Sequence, residues 1–154
     1  FKRSGAALIS LVLLLVLAVS AGAASSQNVG VKFWKERSDK ESMANSGIDP
    51  DRTATLTRQA NGTYTLTLPV TQVSKLGVTG YLSGLTIGDV TYDGTLTGDF
   101  NKATAVLTIK NLPASVLTGS DVNKSVLVTC NIQMDLQVLG EINTSARMCI
   151  WNQK

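Results

Sequence analysis

The stretch SDKESMANSG, from Ser38 to Gly47, sets a methionine among serine, asparagine and charge. A polar loop needs no thioether to fold, so Met43 either plugs the edge of a core or offers its sulfur to a ligand. Sulfur and phenol are what this chain has for demanding chemistry: three methionines, two cysteines and three tyrosines, with no histidine. Without histidine, Ser-His-Asp and Cys-His catalysis are excluded and the usual zinc sites lose their nitrogen donors. No glycine-rich phosphate loop runs from a strand into a helix. The carboxylates Asp49, Asp51, Asp89, Asp93 and Asp99 are scattered over turns, where acidic residues are normally solvated turn formers. The pattern points away from an enzyme. Thioethers are soft donors, suited to copper(I) or to the iron of a haem, and a low-charge pair of them favours the ferrous state.

The second methionine with a readable position is Met134. From Val126 to Val138 the even positions read Val, Val, Cys, Ile, Met, Leu, Val, and the odd ones are mostly polar. That is a period of two with one buried face. Met134 therefore points the same way as Cys130 and Ile132, toward the interior or a pocket. The third, Met148 in SARMCIW, reads better as core filling. Cys130 and Cys149 both stand in the last strands. If the final hairpin turns between Leu139 and Gly140, they face one another across the ladder and a disulfide becomes geometrically possible.

The elements that must position these residues begin after a leader. FKRSGAALISLVLLLVLAVSAGA opens with Lys2 and Arg3, continues as an apolar run, and ends in small residues at Ala-x-Ala spacing. It reads as a secretory signal peptide over 1–23, leaving one domain over 24–154 with no later membrane insertion. Removing Lys2 and Arg3 takes the 14 basic residues to 12 against 11 acidic ones. No basic stripe with interleaved aromatics appears, so nucleic acid is not an expected partner. An exported chain is also one in which a disulfide can persist.

The rest is β throughout. VGVKFW alternates as a first strand, and Ser38 or Asp39 is placed to cap one short helical turn near residues 39–45, which Pro50 keeps short. In TATLTRQANGTYTLTLPV the apolar faces match only if Leu56 meets Leu66, which requires the three-residue loop Ala60-Asn61-Gly62 with Gly62 left-handed. About eight short strands separated by turn signals describe an all-β sandwich.

The stretch from Phe33 to Leu68, FWKERSDKESMANSGIDPDRTATLTRQANGTYTLTL, resembles the opening of a NEAT (near-iron transporter) domain, the haem-binding immunoglobulin-like module of Gram-positive surface proteins. GVTGYLSGL, and CNIQMD paired with ARMCIW, are similar to the later parts of its clostridial branch. The resemblance runs from about Val29 to Trp151. It implies an immunoglobulin-like β-sandwich, secreted or held at the cell surface, that binds haem for iron acquisition and passes it to relay proteins or a transporter. It also implies roles for particular residues. Ser42 would hydrogen-bond a propionate and Met43 would sit over one haem face. Lys35, Arg37 and Lys40 would neutralise propionates, while Trp34, Tyr81 and Leu136 would line the porphyrin. Better-known members carry Tyr-x-x-x-Tyr on the last strand, where NTSARMCIW has no tyrosine. A streptococcal branch uses two methionines instead, which makes Met43 and Met134 the expected axial ligands, with Met148 as a further residue expected to contact the haem. The other reading is an immunoglobulin-like structural or adhesion module that keeps the fold without haem.

Overall fold

Alternating sequence becomes nine strands in the computed structural model, which describes residues 25–75, 77–135 and 140–153. The expected leader over 1–23 and Leu136 lie outside the described residues. The strands are β1 (Ser25–Lys35), β2 (Ala54–Arg58), β3 (Tyr64–Pro69), β4 (Val73–Lys75), β5 (Val78–Ile87), β6 (Val90–Thr97), β7 (Val106–Leu112), β8 (Val126–Met134) and β9 (Glu141–Asn152). All pairings are antiparallel, in the order β4-β5-β6-β7-β3-β2-β1-β9-β8, and β8 pairs back onto β5. The ladder therefore closes on itself as a sandwich, which removes most of the open edge a sheet would otherwise expose. Phe33, Leu56, Leu66, Leu82, Leu107 and Met148 are among the fully buried side chains of its core.

The β2–β3 hairpin has the expected register, with Leu56 opposite Leu66. Gln59 N–H donates to the Thr63 carbonyl at 2.8 Å, and Gly62 takes φ +85°, a conformation in which a Cβ is strained.

The final hairpin departs from expectation. Gln133 pairs with Glu141, so Cys130 faces Thr144 and not Cys149. Period two does the rest: Ala146, Met148 and Ile150 point inward with Cys130, and Cys149 between them points outward. There Cys149 Sγ lies 3.5 Å from the Asp121 carbonyl, beneath a 3-10 turn over Val122–Lys124. Both cysteines are buried and free. They lie on opposite faces of the sheet, so the cross-strand disulfide that the assumed register allowed is ruled out.

After β1 the chain loops through residues 36–40, with Lys35 N–H donating to the Lys40 carbonyl at 2.8 Å. Arg147 of β9 pins this loop by donating to the Lys35 carbonyl at 3.0 Å, the Ser38 carbonyl at 2.8 Å and Asp39 Oδ1 at 2.7 Å. The helical turn lies at Met43–Gly47, later than expected, and it is 3-10 in form. Its cap is Ser42, whose Oγ accepts from Ala44 N–H at 3.2 Å; neither Ser38 nor Asp39 caps it.

Beyond the turn, Asp49 Oδ1 accepts from Asp51 N–H at 2.9 Å and Oδ2 from Arg52 Nε at 2.8 Å. Arg52 also donates to the Ala105 carbonyl at 2.7 Å. The Asp51 N–H first, then the Arg52 side chain, hold the Asp49 carboxyl below the usual carboxylate range. Its folded pKa is therefore lower than its unfolded one, about 3.9. The stabilisation is fully present above the unfolded value and is lost as pH falls through the folded one. Asp49→Asn is accordingly expected to lower the unfolding midpoint at neutral pH and to flatten its fall below about pH 4. Urea melts of the two proteins at a series of pH values measure this, and parallel curves would exclude the role.

Candidate functional site

At one end of the sandwich the 3-10 turn meets the end of β8 and the start of β9. The turn is fixed there by Asn45, whose side chain pairs with a strand as a backbone would. Its Oδ1 accepts from Phe33 N–H at 2.9 Å, and its Nδ2 donates to the Phe33 carbonyl at 2.6 Å and the Ser42 carbonyl at 2.9 Å. Ser42 N–H adds a bond to the Phe33 carbonyl at 3.0 Å. The far side of the turn packs on β4 and β5: a Cβ on Gly47 would lie 3.3 Å from Val73 Cγ1 and 3.7 Å from Leu82 Cβ.

The opposite wall is set by how β8 ends. Met134 N–H donates to the Gly140 carbonyl at 2.9 Å, and Asp135 N–H to the Thr79 carbonyl at 2.9 Å. Thr79 Oγ1 bonds the Asp135 carboxylate. Met134 faces Gly80 across the β5–β8 ladder, and its sulfur folds over that glycine. A Cβ at position 80 would lie 2.6 Å from Met134 Sδ and 2.5 Å from the Gln133 carbonyl oxygen. Gly80→Ala must therefore displace both the thioether and a backbone oxygen, at a cost of about 1–3 kcal/mol. A denaturation midpoint within error of the wild type would show that the glycine is not needed.

Between these walls runs a crevice. Met43 and Ser46 line it from the turn, Ile132 and Met134 from β8, and Ile142 and Thr144 from β9, with Val73 and Ser74 of β4 alongside. Its empty volume is about 380 Å³, counting space open to solvent. Most of that is open to solvent, so the enclosed space falls well short of a ligand site, commonly about 300–1,000 Å³. A flat ligand of any size must push the walls apart. None of these lining residues is charged, and thioethers do not titrate. Met43 is 51 % exposed at the mouth, whereas Met134 is 4 % exposed.

Two of the sequence-derived candidates, Met43 and Met134, thus come together; the others are placed elsewhere. Ser42 is buried with its Oγ already accepting from Ala44, and the turn presents Ser46 to the crevice in its stead. Arg37 and Lys40 are exposed on the 36–40 loop and do not line it. Trp34 follows the inward-facing Phe33 and so lies on the outer face, with Lys32 Nζ 4.3 Å from its ring centroid. Tyr81 stands between the inward-facing Gly80 and Leu82, and its ring packs 5.8 Å from that of Phe100. Met148 is fully buried, opposite Phe33 on one side and Val126 on the other. Ile132 shares the even parity of Met134 and was readable; Ile142 and Thr144 depend on the β8–β9 register. A more open groove of about 570 Å³ passes Val31, Ile48 and Trp151, but no thioether, thiol or phenol lines it.

No family model matches the chain, and no curated protein does. Solved structures do. The NEAT5 domain of IsdX2, a B. anthracis hemophore in complex with heme, superposes with a TM-score of 0.53 at 12% identity, over 86% of this chain and 99% of that one. A point mutant of the same domain, also in complex with heme, gives 0.52 at 12% identity over 86% and 98%. At that identity the likeness is one of fold: this chain has the NEAT-domain sandwich.

Proposed function

We propose that the crevice is a haem site, with Met43 and Met134 as thioether ligands from its two walls, and that the protein is an extracellular haem carrier serving iron acquisition. The observation that carries this reading is the convergence of two methionines, far apart in sequence, on one uncharged and largely apolar crevice. Soft, neutral donors suit the iron of a haem and favour its reduced state. The fold shared with a hemophore domain in complex with heme supports the same reading. Haem is cargo here, so the chain's own work is to hold it, exclude water and release it. Weak thioether ligation, and a wall hung on one strand by Asn45, suit capture followed by transfer to a relay protein or transporter. Ser46, Ser74 and Thr144 supply hydroxyls at the crevice; Lys35 at the end of β1, and Arg37 and Lys40 on the loop after it, stand outside the crevice as exposed cations for propionates that extend beyond it.

The test is a haemin titration of the purified protein followed in the visible spectrum, with and without dithionite. A saturating one-to-one Soret shift with sharp low-spin ferrous bands is expected. A broad, unsaturating spectrum would remove the haem reading and leave an immunoglobulin-like structural or adhesion module.

A further inference from the structure

Five sulfur side chains are present, from three methionines and two cysteines, and the fold hides four of them. Cys130, Cys149 and Met148 are fully buried and Met134 is 4 % exposed, whereas Met43 is 51 % exposed. Burial also pushes the Cys130 thiol up to about 12, so it offers almost no thiolate to an oxidant at neutral pH. Met43 opens a 3-10 turn at the crevice mouth, where a small oxidant arrives from solvent without any opening of the core.

We propose that Met43 is an oxidation site, converted to its sulfoxide by hydrogen peroxide, and that this modification releases whatever the crevice holds through that sulfur. The peroxide O–O bond breaks as a lone pair on sulfur takes one oxygen and forms the S–O bond. Sulfur loses two electrons, and the other peroxide oxygen leaves as water after taking up the remaining proton. The product exchanges a soft, apolar donor for a polar, chiral group with a hard oxygen. That group stands in a crevice lined by Ile132 and Ile142 and by the hydroxyls of Ser74 and Thr144, which can hydrogen-bond its oxygen in place of a ligand. The step is reversed by methionine sulfoxide reductases, which return the thioether at the expense of a thiol reductant. Release through Met43 rests on the haem reading; selective oxidation does not.

Trypsin separates the three methionines into peptides 41–52, 125–147 and 148–154. After timed exposure of the protein to hydrogen peroxide, peptide 41–52 should gain one oxygen at least about tenfold faster than the other two, as exposure dictates. A rate for either of the other peptides equal to that of 41–52 would overturn the assignment, as would unchanged rapid oxygen uptake in Met43→Leu. In the second arm, ferrous haem affinity should fall by about tenfold or more after oxidation and return on treatment with the reductase. If the unoxidised protein takes up no haem, the haem reading and the release step fail together while the selectivity result still stands. If it binds haem equally well before and after oxidation, the release step alone is overturned.

Discussion

Replacing Met134 with leucine is expected to leave the sandwich folded and to remove the low-spin ferrous haem spectrum. The side chain is 4 % exposed, so alanine would confound ligand loss with a cavity costing about 2–5 kcal/mol. Leucine conserves volume and should cost less than about 1.5 kcal/mol. Losing an outer-sphere partner of a metal ligand commonly costs about 10–100-fold in affinity. Losing the ligand itself should reach at least about 100-fold, or about 2.7 kcal/mol. Met43→Leu should show the same spectral loss with a stability change within about 0.5 kcal/mol, because it is half exposed and packs little. Titrations of both variants, beside denaturant melts, measure the two effects separately. A Met134→Leu protein that melts normally and keeps the low-spin bands would exclude this thioether as a ligand.

The second large effect is expected at Asn45. Alanine there removes both bonds to Phe33 and the bond to the Ser42 carbonyl. The Phe33 N–H is left without a partner, while its carbonyl keeps the Ser42 N–H. One orphaned donor at about 1–3 kcal/mol and the two remaining lost bonds at about 0.5–1.5 kcal/mol each give about 2–6 kcal/mol overall. Asp should not rescue the site, since its second oxygen would face the Phe33 and Ser42 carbonyls where the amide donated. The 3-10 turn should come free of β1, so amide exchange at Phe33 should accelerate and haem affinity should fall with it. Wild-type exchange at that amide in Asn45→Ala would show that the turn is held by other contacts.

Period-two alternation made much of this molecule readable. It put Cys130, Ile132 and Met134 on one face of β8, and face matching alone fixed Leu56 opposite Leu66. It did not fix the β8–β9 register, because the turn was placed by assumption. Any slip by an odd number of residues moves a side chain to the other face, and this is what separates Cys149 from Cys130. The same parity places Trp34 and Tyr81 outside, each beside residues that point in, and so away from the crevice, where the family resemblance would have them line a porphyrin. Asn45 gave no signal at all. Its importance lies in an amide that imitates a strand, and in sequence it is one more polar residue in a polar loop. Ser42 was legible as a special serine, but its hydroxyl oxygen serves the turn's own backbone, an outcome that capping chemistry favours at that position.

The most direct measurement is carbon-13 methyl spectroscopy of the protein with labelled methionines, in the ferrous haem complex, assigned with Met43→Leu and Met134→Leu. A thioether bound to the iron places its methyl over the macrocycle, where the ring current shifts it far upfield. Three methyl signals are expected, from Met43, Met134 and Met148. If the crevice holds haem between its two walls, the first two move far upfield and Met148 stays near its original position. If haem binds and neither methyl moves, Met43 and Met134 are not its ligands and the site lies elsewhere on the sandwich.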